Sequence, residues 1–154
     1  MYMHIIMDLG LFPLPCVCQN LRRLTRMVTR IYDQELRHAD IEITQFGLLT
    51  ALTLVGEANQ KTLSAGFAMD STTLTRTLGL MRQRGWIAVK PGKDRRERLF
   101  RLTEAGHRQI AKAEPHWRAA EQRLRRTIGE ATMTQMQTGL ARYTKAAATA
   151  AAAL

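Results

Sequence analysis

Apolar residues recur at helical spacing in the N-terminal part of the chain. The first stripe alternates steps of four and three residues and comprises Val17, Leu21, Leu24, Val28 and Ile31. This spacing predicts an amphipathic first helix over about residues 15–37. A break over residues 39–43 precedes a second helix, for which Thr44 is the expected N-cap. We expect this helix to be buried, because its large residues are nearly all apolar, namely Phe46, Leu48, Leu49, Leu52 and Leu54.

Two shorter helices are predicted next. Residues 56–60 should form a turn and residues 62–68 a helix. Asp70 is then a good N-cap for another helix, whose buried face carries Leu74, Leu78 and Met81. The N-terminal half of that helix also carries hydroxyl groups and an arginine, in Ser71, Thr72, Thr73, Thr75 and Arg76. Such groups suit contacts with base edges and phosphates, because free N–H groups and the positive end of the helix dipole lie there too.

A charged hairpin follows this helix. Residues 86–89 and 98–102 have the pattern of two short strands, and residues 91–96 predict the turn between them. Beside Asp94, the turn carries three cations within four residues, Lys93, Arg95 and Arg96. A solvated turn rarely carries so many cations, whereas a wing that enters the narrow minor groove uses them. The order helix, turn, helix and charged hairpin therefore predicts a winged helix-turn-helix.

The C-terminal third predicts two long helices. Thr103 is the expected N-cap of the first, whose apolar stripe comprises Ile110, Ala113, Trp117, Ala120 and Leu124. A last helix after Gly129 repeats the spacing with Met133, Met136, Leu140, Tyr143 and Ala147. One small domain cannot easily cover these stripes together with that of the first helix. The surplus apolar surface therefore predicts a dimer.

Taken together, these residues resemble the MarR family of transcriptional regulators. The resemblance extends from about residue 16 onward and rests on residues 69–78, the run Arg84-Gly85-Trp86-Ile87, the turn Asp94-Arg95-Arg96 and residues 102–106. It implies a mainly α fold with a small β-hairpin, organised as a winged helix-turn-helix with N- and C-terminal dimerisation helices. The expected boundaries are an N-terminal arm over 1–15 and one unit over 16–154, with dimerisation helices in 16–43 and 103–154 and the DNA-binding region in 44–102.

The resemblance also implies roles for individual residues. Asp94 would organise the wing, and Arg96 would reach into the minor groove. The residues expected to bind DNA are Ser71, Thr72, Thr73, Thr75, Arg76, Lys93, Asp94, Arg95 and Arg96. The expected partner is a pseudo-palindromic double-stranded operator, bound by a homodimeric repressor that a signal releases. The alternative class is a structural or interaction protein that does not bind DNA, which would explain the apolar stripes but not the cationic turn.

Charge and composition agree with a nucleic-acid-binding protein. The net charge is +10, and residues 61–110 hold eleven Lys or Arg against four Asp or Glu, a net charge of +7. The sequence has no phosphate-binding glycine loop or hydrolase motif and its histidines are scattered, so we expect no enzyme, cofactor or metal site. Residues 1–15 interrupt their apolar patches with Asp8 and two prolines. We therefore expect neither a signal peptide nor a membrane span, and a cytoplasmic protein.

Two kinds of signal are compatible with the sequence. One is a small lipophilic or phenolic ligand, bound between the dimerisation helices and the reading region as is common in the family. The other is oxidation of Cys18, because the family's organic-peroxide sensors carry a reactive cysteine near the start of the first helix. In those sensors a tyrosine, matched here by Tyr32, hydrogen-bonds that thiol from the other subunit. Arg22 and Ile43 depart from that branch, which has tyrosines at both positions. Cys18 is as readily interpreted as a small apolar residue, and Cys16 could resolve an oxidised thiol only if the helix start frays.

Overall fold

The computed structural model describes residues 11–12, 14–94 and 97–151. Within these ranges the helices are α1 (Val17–Leu36), α2 (Ile43–Val55), α3 (Gln60–Phe67), α4 (Ser71–Gln83), α5 (Glu104–Ile128) and α6 (Glu130–Ala151). The strands are β1 (Glu57–Asn59), β2 (Ile87–Pro91) and β3 (Arg98–Leu102), and a 3-10 turn over Arg37–Ala39 extends α1. The predicted fold class, mainly α with a small β-hairpin, is confirmed. Most of the predicted N-terminal arm lies outside the described residues.

The sheet is antiparallel, with strand order β1-β3-β2. Strands β2 and β3 form the expected hairpin, in which Pro91 lies opposite Arg98. Strand β1 pairs with the other edge of β3 and places Ala58 opposite Phe100, and both side chains are buried. The turn predicted over residues 56–60 is therefore wrong for residues 57–60, because 57–59 form β1 and Gln60 begins α3. A strand of three residues is too short to produce an alternating pattern that could be recognised in the sequence.

The start of α2 corrects a second expectation. Thr44 is not the N-cap, because the helix begins at Ile43 and its N-cap is Glu42, two residues before the expected position. The Glu42 side chain accepts from the backbone N–H of Gln45, whose side chain in turn accepts from the Glu42 N–H at 3.2 Å. The backbone N–H of Ile43 donates to the Asp33 carboxylate at 2.8 Å, which ties this helix start to α1. At this helix start two acidic side chains thus take the place of the expected hydroxyl cap.

Helix α2 is buried in the core, as predicted, except at its C-terminal end. The largest fully buried side chains of the protein are Leu36, Leu48, Leu49, Leu52, Leu74 and Met81. Leu54 contradicts the expectation of a wholly buried helix, because it is 86% exposed. It lies about 200° around the helix from Leu52, at 100° per residue, on the side away from the core. The nearly all-apolar composition of α2 concealed which face would point outward.

The apolar stripe of α5 packs within the same chain. Ala113 and Ala120 are fully buried, and the Trp117 ring stacks on Phe46 of α2 with 6.0 Å between ring centroids. Helix α1 also packs along α5, where the Tyr32 hydroxyl donates to Glu121. At these positions the stripe packs against helices of the same chain, so they are not part of the surplus apolar surface expected from the sequence. Most of the large apolar side chains that are exposed among the described residues lie on α1 and α6, namely Val17, Leu21, Leu24, Met27, Leu140 and Tyr143.

Candidate nucleic-acid interface

Helix α4 is the helix that we expect to read DNA, and its sequence determines which face points outward. Asp70 is its N-cap, and the carboxylate accepts from the Thr73 backbone N–H at 2.8 Å. Hydrogen bonds from the side chain and then the backbone of Thr73 hold the pKa of the Asp70 carboxyl below its usual range. Leu74, Leu78 and Met81 are buried, as predicted from their spacing. With that face against the core, the hydroxyl-rich face has to point outward.

All five of the expected reading residues on α4 are exposed, namely Ser71, Thr72, Thr73, Thr75 and Arg76. One hydroxyl is already engaged, since Thr75 donates to the Ser71 carbonyl at 2.6 Å. A similar bond runs from Thr77 to the Thr73 carbonyl at 3.0 Å. These bonds along the helix orient the hydroxyl groups of Thr75 and Thr77.

The wing is a hairpin whose loop is closed by two backbone hydrogen bonds. The Gly92 N–H donates to the Glu97 carbonyl at 2.8 Å, and the Glu97 N–H donates to the Asp94 carbonyl at 2.9 Å. Lys93 and Asp94 are exposed at this loop. The other two expected wing residues, 95 and 96, lie outside the described residues. The backbone carbonyl of Asp94 thus helps to close the loop. The role expected of its side chain, to organise the wing around Arg96, stays a prediction.

A cleft of about 230 Å³ separates α4 from the wing strands. Thr75 and Arg82 lie on the α4 wall of this cleft, and Arg98 and Phe100 lie on the β3 wall. Our sequence-based set of contact residues omitted Arg82 and Arg98. Arg82 could have been identified, because it follows Thr75 by seven residues, about two helical turns. Arg98 shares a face of β3 with the buried Phe100, so the alternation of the strand does not mark it as a contact residue. The cleft shows that α4, the expected recognition helix, and the wing lie side by side, with cations on both walls.

The two cysteines lie at the start of α1. Both are exposed, and Cys16 is the N-cap of the helix rather than part of it, without a side-chain capping bond. Tyr32 is 14 residues after Cys18, about 21 Å along the helix axis, so the two cannot meet within one chain. Instead the Tyr32 hydroxyl donates to Glu121, and burial followed by this hydrogen bond raises its pKa. The expected contact between Tyr32 and Cys18 would need a second subunit.

The described residues were also compared with the requirements of a metal site and of a membrane span. His38 and His116, two of the histidines that we described as scattered, stack with ring centroids 5.5 Å apart. Among residues 11–12, 14–94 and 97–151, no group of three or more His, Cys, Asp or Glu side chains could hold a metal ion. No described helix combines the length and the apolar character that a membrane span requires.

The known proteins to which this chain is similar include several transcriptional regulators. No family model matches the chain. The chain is similar to the M. tuberculosis transcriptional regulator MosR, solved in complex with DNA, with 30% identity, 86% of this chain and 98% of that chain covered, and a TM-score of 0.73. An E. coli MarR mutant, solved with operator DNA, shares the fold at 23% identity, with 80% of this chain and 93% of that chain covered and a TM-score of 0.72.

A further relative is YwoH of Bacillus subtilis, an uncharacterized HTH-type transcriptional regulator. It is 27% identical over 79 residues, which cover 51% of this chain and 58% of YwoH. The matched region thus spans less than two thirds of that protein. All three relatives are transcriptional regulators, a class without enzymatic activity.

Proposed function

Since this chain belongs to the MarR family of transcriptional regulators, we propose that it is a dimeric, sequence-specific DNA-binding repressor that leaves its operator when a signal arrives. One observation carries the proposal: the exposed face of α4, rich in hydroxyl groups, lies beside a cationic wing across one cleft. The DNA bound by MosR and by E. coli MarR supports the same partner for this chain.

Helix α4 and the wing would contact different grooves of the DNA duplex. Helix α4 would enter the major groove, where short hydroxyls and an arginine can bind base edges and phosphates. Its contributing residues are Ser71, Thr72, Thr73, Thr75 and Arg76. The wing would bind the minor groove or its phosphates through Lys93, Arg95 and Arg96, with Asp94 shaping the loop. Arg82 and Arg98 extend the positive surface between the two parts.

A homodimer would cover the apolar surface that one chain leaves open. On α1, Leu21 is 44% and Leu24 is 45% exposed, and on α6, Leu140 is 43% and Tyr143 is 69% exposed. These side chains line adjoining grooves between α1 and α6. Burying such a continuous surface stabilises association at about 25 cal/mol per Å² of apolar area. A two-fold axis would then place the two recognition helices in successive major grooves, about 34 Å apart.

The signal is either a small lipophilic ligand or thiol oxidation at Cys18. Both cysteines are exposed, so an oxidant can reach their thiols, which supports the second signal. A peroxide would transfer one oxygen to the Cys18 thiolate, giving a sulfenic acid and an alcohol. Condensation with the Cys16 thiol would then release water and form a disulfide. Because Cys16 precedes the helix, only the first turn of α1 would have to unwind.

The proposal can be tested by footprinting the protein on a duplex selected from a random library. We expect two inverted half-sites centred about 10 bp apart, protected by a dimer. Protection of one unrepeated half-site by a monomer would refute the dimeric arrangement. Failure to enrich any sequence would refute DNA recognition itself, and the interaction-protein alternative would then take its place.

A further inference from the structure

Asn59 and Gln60 lie between the wing and the recognition helix, and neither is among the DNA-contacting residues proposed above, although Gln60 lines the cleft between the two elements. Asn59 is the last residue of β1 and the N-cap of α3, and Gln60 is the first residue of α3. Both are half-buried. Each side chain makes a hydrogen bond to a different DNA-reading element. Two adjacent residues therefore contact both elements at once.

The Asn59 side chain joins α3 to the wing. Its carbonyl oxygen accepts from the Thr62 backbone N–H at 2.8 Å, which caps α3. Its amide donates to the Glu97 carboxylate at 2.6 Å. Glu97 closes the wing loop through its own backbone N–H and carbonyl. A charge-assisted hydrogen bond thus links the helix cap to the residue that closes the wing.

The Gln60 side chain joins α3 to the recognition helix. Its amide donates to the Thr75 hydroxyl at 2.6 Å and to the Ser71 carbonyl at 3.3 Å. Because a carbonyl can only accept, the NH₂ group of Gln60 must face Ser71. The Thr75 oxygen therefore accepts from Gln60, and its own hydrogen goes to the Ser71 carbonyl at 2.6 Å. Thr75 is left with one lone pair, so toward DNA it can act only as an acceptor.

We propose that Asn59 and Gln60 are positioning residues that set the spacing and orientation of the wing relative to the recognition helix, and so determine operator specificity. The inference rests on the proposed DNA-binding function. A rigid link matters because recognition in two grooves requires both elements to be in register with the same duplex. If the link were broken, each element could still bind phosphates, but fewer base contacts would form together.

A double-mutant cycle between Asn59 and Glu97 tests the link. Asn59→Asp keeps the helix cap but sets a second carboxylate against Glu97. Adding Glu97→Gln restores the bond with donor and acceptor exchanged, and it also restores the net charge of the wild type. The readout is the ratio of affinities for the selected duplex and for a scrambled duplex of equal length and composition. Changes in charge alone affect both affinities and cancel in this ratio.

We expect Asn59→Asp to lower the specificity ratio about tenfold, and the double variant to return within about twofold of the wild type. A second readout needs no DNA. Amide exchange at Gly92 and Glu97 should accelerate in Asn59→Asp and slow again in the double variant, while α5 stays unchanged. A uniform acceleration along the chain would instead mean general destabilisation and would overturn the positioning role.

Gln60→Met tests the second half of the link. It should lower the specificity ratio to a similar extent, whereas Gln122→Met, at an exposed position of α5, should leave it unchanged. If the wild type discriminates between the two duplexes but Asn59→Asp and Gln60→Met do so equally well, the positioning role is wrong and the proposed function stands. If the wild type itself shows no preference, the proposed function fails first.

Discussion

Gly106→Ala should destabilise the protein strongly, although alanine is the better helix former. Gly106 is the third residue of α5, directly against the strand that begins the wing. A Cβ atom here would lie 2.2 Å from the carbonyl oxygen of Trp86 and 3.0 Å from a methyl carbon of Leu102. Ordinary carbon–oxygen contacts are about 1 Å longer, so the backbone at the base of the wing would have to move.

The expected loss of stability combines two destabilising contributions and one stabilising contribution. Overpacking costs about 1–3 kcal/mol. The carbonyl of Trp86 also accepts from the backbone N–H of Thr103, the N-cap of α5, at 3.1 Å, while the Thr103 hydroxyl donates to the Gly85 carbonyl at 2.6 Å and lies 3.1 Å from that of Trp86. Weakening that cap adds roughly 1 kcal/mol, and the gain in helix propensity offsets at most about 1 kcal/mol. The net loss of about 2 kcal/mol corresponds to a melting temperature lower by about 4–8 °C.

Thermal melting at one fixed protein concentration measures this loss, since the stability of a dimer depends on concentration. Gly79→Ala is the matched control, because a Cβ there meets no atom within 4 Å. It should leave the melting temperature unchanged or raise it slightly. A Gly106→Ala variant that melts at or above the wild-type temperature would refute the close-approach argument.

Three further predictions concern DNA binding and the signal. Thr73→Ala and Arg76→Ala should each cost about 1–3 kcal/mol on the selected operator and relax the preference at particular base pairs, as measured by repeated selection with the variants. Arg96→Ala should weaken binding to operator and scrambled duplex alike and reduce the salt slope by about one; an unchanged affinity across a salt series would contradict the wing assignment. If thiol oxidation is the signal, organic hydroperoxide should release the wild type from DNA and a reductant should restore binding, whereas Cys18→Ser should ignore the oxidant and Cys16→Ser should still respond but form no disulfide. Release of Cys18→Ser as readily as the wild type would leave the small ligand as the signal.

The parts of the fold that could be predicted depend on local signals. Asp70 predicts the start of α4, because an N-cap and the helix that it caps are adjacent in sequence. The spacing of Leu74, Leu78 and Met81 then determines the buried face, and with it the exposed hydroxyl face that we expect to read DNA. The same reasoning identified Thr103 as the N-cap of α5, where it accepts from the Gly106 N–H at 3.1 Å.

Features that depend on distant partners could not be predicted. Strand β1 exists because Ala58 pairs with Phe100, more than 40 residues later, and three residues carry no pattern of their own. The bond from Gln60 to Thr75 joins two helices across their turn, and nothing in either residue type distinguishes it from solvated polar groups. Leu54 was misassigned because α2 is so apolar that its outward face has no polar marker.

The position of the recognition helix is coupled to the helices outside the reading region. Arg84, the C-cap of α4, donates to the carbonyl of Asp40 at 2.6 Å and lies 5.0 Å above the Trp86 ring. The neighbouring carbonyl, that of Ala39, accepts from the Gln109 side chain of α5 at 2.6 Å. The connection that follows α1 is thus fixed to both α4 and α5, and separating them would break hydrogen bonds worth about 1 kcal/mol each. We therefore expect α1, α4 and α5 of one subunit to move together. A signal that disturbs the packing of two α1 helices would then change the distance between the two recognition helices, and with it their fit to successive major grooves, rather than the shape of either helix.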